Sequence, residues 1–522
     1  MATPPMNVLL PPLTRLGGGF GITIAVTVLV LIASFAFYTL SERPYPGLLL
    51  IGKDPSERTN LPAKKRWMKS AKKICFDALK ETQKPFQVIA TNGPLIVIPP
   101  KYTEEIRLDE RMTFKSWLKK DFFTEYPGFE GFKPAVDNNV FIDSVRIGLT
   151  QSLGQIVGIL EKETKLCLNE SMPLSNEWQE THFDKVALRM IARLSSRTFL
   201  PEPLCYNEEW LKISVDYTVD FFTAAYVLRL FPPPIRAVVH WFLPYTRKLR
   251  QSVATARGII EPEVKRRKLE REAAIQAGEK PKKYVDALAW VESVSEKSGE
   301  YCDPVYAQLN YALGAVHTTS ITFTNTVYNL ISQPESIELL REEFISVFKE
   351  VGEWNKTSLY KLKLMDSFMK ESNRLNPASF MTVNRVANVD ITLSDGTVIP
   401  KNAALSIPNT SLVDPHFWEN PHQFNGKRFF DMRQKPDNES KHQFVTTSDE
   451  YLPFGHGKHA CPGRFFASNE IKVLLCHLIM NYDFKFKGGV MPEFKNNGPD
   501  DGFNKDAMVM FKARTPELSV TL

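Results

Sequence analysis

Nothing interrupts a helix between Asp303 and Gln333. Asp303-Pro304 is a strong start, a capping carboxylate followed by proline at the first helical position. The next break is Gln333-Pro334. A helix over that span runs roughly 43 Å at 1.5 Å per residue, long enough to cross a whole domain. The rest of the chain has to be arranged around it. From about residue 100 to Leu375 the pattern is mainly helical, with apolar residues recurring at three and four in Arg146 to Lys165 and Lys185 to Phe199. Pro232-Pro233-Pro234 separates two helical stretches. Strand signals are few. Gln87 to Ile98 reads as a hairpin on Asn92-Gly93, and Ile391 to Ile399 as a second on Asp395-Gly396.

A chain of 522 residues would suggest about three domains at roughly 150 residues each. No repeat, low-complexity segment or linker divides it, so the expectation is one large, mainly α domain with small β-sheets. Hydrophobic residues make up 43% and charged residues 24%, which excludes a disordered or collagen-like chain. The charge, 65 − 59 = +6, is too slight and too dispersed to argue for nucleic acid. Six cysteines without pairing rhythm exclude a disulfide framework. The run Lys265-Arg266-Arg267-Lys268 reads as a solvated helix face.

Leu16 to Ser41 holds no charged side chain. Its denser part, 20–40, would rise roughly 31 Å as a helix, matching a hydrocarbon core of about 30 Å. The run is too long, and its end too bulky, for a cleaved signal peptide. One basic residue precedes it and nine follow by Lys73, so the large carboxyl-terminal body is expected on the cytosolic side. The organisation is then a lumenal segment at 1–19, an anchor at 20–40, a basic, proline-rich linker with a first helix at 41–85, and a catalytic domain at 86–522.

The most informative stretch is Phe454-Gly-His-Gly-Lys-His-Ala-Cys461-Pro-Gly463-Arg464. Phe465 to Met480 reads as a buried helix, so Cys461 sits just before a helix start. Free amides and the positive end of the dipole there are expected to lower the thiol pKa. A thiolate so held is a strong axial donor to haem iron. A buried structural cysteine and a zinc site using His456, His459 and Cys461 are the alternatives, although those three lie too close for the usual ligand spacing.

This loop resembles the haem-binding signature of the cytochrome P-450 superfamily, Phe-x-x-Gly-x-Arg-x-Cys-x-Gly, matched by Phe454, Gly457, Cys461 and Gly463. His459 replaces the arginine, which by resemblance faces a haem propionate. Three further segments resemble family elements in family order. Glu371-Ser-Asn-Arg374 looks like Glu-x-x-Arg, and Pro421 to Phe429 looks like the downstream segment whose arginine, here Arg428, completes a structural triad with Glu371 and Arg374. By the same resemblance Arg385 is a propionate partner. Gly314-Ala-Val-His-Thr-Thr-Ser320 resembles the oxygen-activation segment of the long helix. That similarity makes Thr318 the proton-delivering hydroxyl and puts His317 where an acid is usual, either as a relay or packed against backbone.

The resemblance implies the P-450 fold and a haem-thiolate monooxygenase carrying haem b. It implies O2 and NADPH-derived electrons through NADPH–cytochrome P-450 reductase, with cytochrome b5 as an additional donor, because no nucleotide-binding fingerprint occurs in the chain. It places the single-pass chain in the endoplasmic reticulum membrane. The His-Thr-Thr variant is most similar to fungal microsomal members, many of which oxidise terpenoid or indole-terpenoid intermediates. A polyketide or alkaloid substrate, a reductase-independent rearrangement and a catalytically silent haem protein are the other readings. By resemblance the pocket is lined by residues 125–140 and 217–230, which suit a bulky apolar ligand.

Overall fold

The computed structural model describes residues 27–29, 32–33, 42–231, 233–493, 498–499 and 502–518. The segment 1–19 and almost all of the expected anchor at 20–40 lie outside them. Among the described residues no helix is long and apolar enough to cross a membrane.

The longer helices are α1 (Leu61–Glu81), α2 (Thr150–Ser171), α3 (Phe183–Phe199), α4 (Glu208–Arg229), α5 (Pro244–Gln276), α6 (Ala287–Ser298), α7 (Pro304–Ser332), α8 (Pro334–Val351), α9 (Lys363–Leu375) and α10 (Arg464–Asn481). As the sequence predicts, α7 starts at Pro304, where Asp303 Oδ1 accepts from the amides of Val305 at 2.8 Å and Tyr306 at 3.2 Å. It packs against α3, α4, α5 and α9, and most of its side chains are buried on every side. A helix so enclosed is a rigid axis for whatever the domain carries.

The strands are β1 (Phe86–Ala90), β2 (Gly93–Val97), β3 (Met112–Thr113), β4 (Gln179–Thr181), β5 (Met381–Ala387), β6 (Ile391–Thr392), β7 (Val398–Ile399), β8 (Ala404–Pro408), β9 (Tyr482–Phe486) and β10 (Val509–Ala513). They form a five-stranded sheet ordered β1-β2-β8-β5-β3, a three-stranded sheet β4-β10-β9 and the β6-β7 pair. Both predicted hairpins are present, the first pairing Ala90 with Gly93 and the second Ile391 with Ile399. Between Thr382 and Arg385 the β5–β8 register shifts. Val383 there has φ +49°, a left-handed conformation that a β-branched residue adopts only under strain. Such bulges re-aim side chains, and this one carries Arg385.

Two local expectations change. The run at 265–268 is not wholly solvated: Arg267 is buried, pairing with Asp286 at 2.6 Å and Glu263 at 2.7 Å, and so ties α5 to the start of α6. The helical stretch beginning at Arg146 opens with a π-helical turn at Ser144–Leu149 before α2. Gly148 lies in that turn because a Cβ would come within 2.5 Å of Trp290.

Glu371 and Arg374 on α9 pair at 2.8 and 2.9 Å, and Arg428 Nε reaches both Glu371 oxygens at 3.1 Å. Arg374 also donates to the carbonyls of Leu412 and Pro421, while Arg428 donates to those of Glu419 and Gln423. One fully buried carboxylate thus holds two guanidiniums, which in turn gather the coil before α10. Glu371→Gln leaves the buried Arg374 and the half-buried Arg428 without their anion. It is expected to cost about 3–5 kcal/mol, read as a lowered thermal unfolding midpoint; an unchanged midpoint would contradict this role.

Candidate active site

The cysteine loop is built from glycines that the backbone requires. Gly455 and Gly457 have φ +65° and +73°, and a Cβ on Gly457 would press on Arg107 at 3.0 Å. The Cys461 amide donates to the Phe454 carbonyl at 2.7 Å, closing the loop, and the Phe454 ring meets Phe444 edge-on at 5.1 Å. Gly463 caps α10, so Cys461 lies just ahead of the helix, as expected. The predicted direction of the thiol pKa is not met. Burial pushes it up, and the amides of Gly463 and Arg464 with the Arg464 charge only partly offset that. Desolvation of this sulfur outweighs the helix dipole.

On α7 the pattern of burial breaks at one place. Gly314 and Thr318 are exposed and Ala315 half-buried, while Leu313, Val316 and Thr319 are buried. A Cβ on Gly314, or on Gly463 beside the cysteine, would meet nothing within 4 Å. Thr318 Oγ1 donates back to the Gly314 carbonyl at 2.7 Å. The His317 Nε2 lies 2.9 Å from the Val215 carbonyl on α4, and burial lowers its pKa first of all, opposed by that hydrogen bond and by Asp216.

Four cations gather around His459. Its pKa falls to about 4, by burial and then by the charges of Arg385, Lys458, Arg146 and Lys115, so the ring is neutral near pH 7. Arg385 is buried with Nε unpartnered; Nη1 donates to the Asn384 carbonyl at 2.7 Å, and burial pulls its pKa down to about 10. Arg146 donates to the Lys458 carbonyl at 2.6 Å. Arg146 and Lys115 were not picked out from the sequence, because neither belongs to a motif and only the fold brings residue 146 to residue 458.

These observations fit an iron porphyrin. A sulfur donor stands at the head of α10 beside a glycine whose Cβ position is clear, a small-residue patch of α7 is open, and a buried guanidinium lacks an anion that a propionate would supply. The zinc alternative finds no support: among the described residues no three His, Cys, Asp or Glu side chains gather to hold a metal. His456 is turned to Thr447 at 2.9 Å and Glu104 at 3.3 Å.

A cavity of about 690 Å³ adjoins α7 at Leu313, His317, Thr318 and Ile321. The α4 face from Thr218 to Arg229 lines it, within the 217–230 segment expected from sequence. The 125–140 segment does not; Phe129, Ala135 and Val140 are in the core. In its place stand Trp67, the β1–β2 turn, Trp117 and Phe122.

Arg385→Leu removes a charge that is buried without a carboxylate partner. The haem-free chain is expected to keep or gain stability, while haem is held more weakly by about tenfold or more, the worth of a charged hydrogen bond. Thermal unfolding of the haem-free form and haem-transfer rates read the two effects. A destabilised haem-free chain with unaltered haem retention would refute the assignment.

The cytochrome P450 family model matches residues 65–511. The chain is 40% identical to cytochrome P450 monooxygenase hepE of Aspergillus oryzae, over 92% of this chain and 88% of that one. It is 36% identical to cytochrome P450 monooxygenase adrA of Penicillium rubens, over 95% and 97%. The fold is also that of the retinoic acid-bound cyanobacterial CYP120A1, with TM-score 0.62, 16% identity, and coverage of 84% and 94%. The chain therefore belongs to the cytochrome P450 family, as a haem-thiolate monooxygenase that uses haem b, O2 and electrons from a partner reductase.

Proposed function

We propose that the chain hydroxylates, epoxidises or further oxidises an apolar secondary metabolite of terpenoid or indole-terpenoid type. The observation that carries this is the cavity beside Thr318, whose wall is mostly apolar and whose volume of about 690 Å³ suits a compact multi-ring or prenyl skeleton. Electrons come from NADPH–cytochrome P-450 reductase, with cytochrome b5 as a second donor. The uncharged segment 20–40 and the basic residues after it support a single-pass anchor in the endoplasmic reticulum membrane.

The residues divide the work. Cys461 would hold the iron, Phe454, Gly457 and Gly463 shape the loop, and Arg385 and His459 would bind the propionates. Bound there, haem supplies activation of O2. Thr318 holds a proton at Oγ1, donated in a hydrogen bond to the Gly314 carbonyl; a rotation about χ1 would redirect it toward the cavity that Thr318 lines. The apolar walls of Phe122, Phe222 and Ile321 exclude water and orient the substrate carbon.

Membranes carrying the protein and reductase, given NADPH and a set of terpenoid, indole-terpenoid and polyketide precursors, are expected to return a terpenoid product one oxygen atom heavier by mass. Oxidation confined to polyketides would overturn the substrate class. Thr318→Ala is expected to keep the haem spectrum and to form at least about tenfold less product per NADPH consumed. Unaltered coupling would remove Thr318 from proton delivery.

A further inference from the structure

The imidazole of His317 is a polar group set into the cavity wall one residue from Thr318. Its Nε2 lies 2.9 Å from the Val215 carbonyl. A carbonyl oxygen only accepts, so Nε2 carries the hydrogen. That proton ends on an atom that cannot pass it on, and the ring is therefore no link in a proton chain. Burial disfavours the charged ring, opposed by the Val215 hydrogen bond and by Asp216, the one charged side chain among the described residues that bears on it. In a neutral ring with hydrogen on Nε2, Nδ1 is an acceptor.

Among the described residues no donor meets Nδ1. Unlike both ring nitrogens of His240 and His477, it is not sealed off in the interior. Thr218, three residues after Val215 on α4, also lines the cavity, but its hydroxyl is sealed off like those imidazoles. An open acceptor in a mostly apolar wall matches a ligand group that donates a hydrogen bond.

We infer that His317 Nδ1 is a specificity determinant of the cavity, and that it accepts a hydrogen bond from a hydroxyl already present on an apolar substrate. The inference rests on the terpenoid reading above. The chain then acts downstream of a reaction that leaves a free alcohol on the skeleton, such as a hydrolysis or an earlier oxygenation. Holding that alcohol at His317 fixes which carbon approaches Thr318.

The test uses farnesol and farnesyl methyl ether, which share a skeleton and differ in the donor. Binding to the ferric holoenzyme is followed by the spin-state change in its absorbance. The wild-type chain is expected to bind the alcohol about tenfold more tightly than the ether. His317→Leu should bring the two within about twofold, and His317→Gln, which offers both a donor to Val215 and an acceptor, should keep the preference. His317→Met serves as a second apolar variant should the leucine chain not fold. Equal wild-type affinities, or a preference that survives loss of the imidazole, would overturn the assignment. A wild-type chain that binds neither compound would overturn the terpenoid reading itself, and this inference with it.

Discussion

Gly314 on α7 and Gly463 beside the cysteine each leave room where a side chain would meet nothing. Protein interiors are close-packed, so room next to Gly314 and Gly463 persists only where rigid elements hold it open. One boundary is α7, a 29-residue helix capped by Asp303 and buried along most of its length. The other is a loop closed by the Cys461–Phe454 hydrogen bond and tied to the head of α10. The Glu371 carboxylate, with its two arginines, clamps the coil leading into that loop against α9. The reactive centre depends on this spacing before it depends on any single chemical group.

The two buried charge systems are built on opposite principles. Around Glu371 every charge has a partner, and the result is structural. Around His459 positive charges converge on a neutral ring, and Arg385 is buried with one nitrogen unpartnered. A bulge and a left-handed valine bring Arg385 there. An arrangement that costs stability in the bare chain is relieved when an anionic group arrives, so folding and cofactor capture reinforce each other.

Features governed by local chemistry were legible in the sequence. Asp303-Pro304 and Pro334 delimit α7, Asn92-Gly93 makes the first hairpin, and the glycines around Cys461 mark a loop ahead of a helix. What the sequence could not disclose were contacts made by distant segments. Arg146 meets Lys458 across the fold, Arg267 finds Asp286, and the His317 ring finds a carbonyl on another helix. The direction of the Cys461 shift was misread because burial, a property of the assembled domain, outweighs the local dipole. The lining of the cavity was half legible for the same reason, since the β1–β2 turn reaches it only through the sheet.

The account stands on Cys461 as the iron ligand. Reduced, haem-loaded protein exposed to carbon monoxide reports that bond directly in its Soret absorbance. The wild-type chain should show the long-wavelength carbonyl band of thiolate-ligated haem, and Cys461→Ser should lose it while still binding porphyrin. The same band in the serine variant, or its absence from folded, fully loaded wild-type protein, would contradict the account.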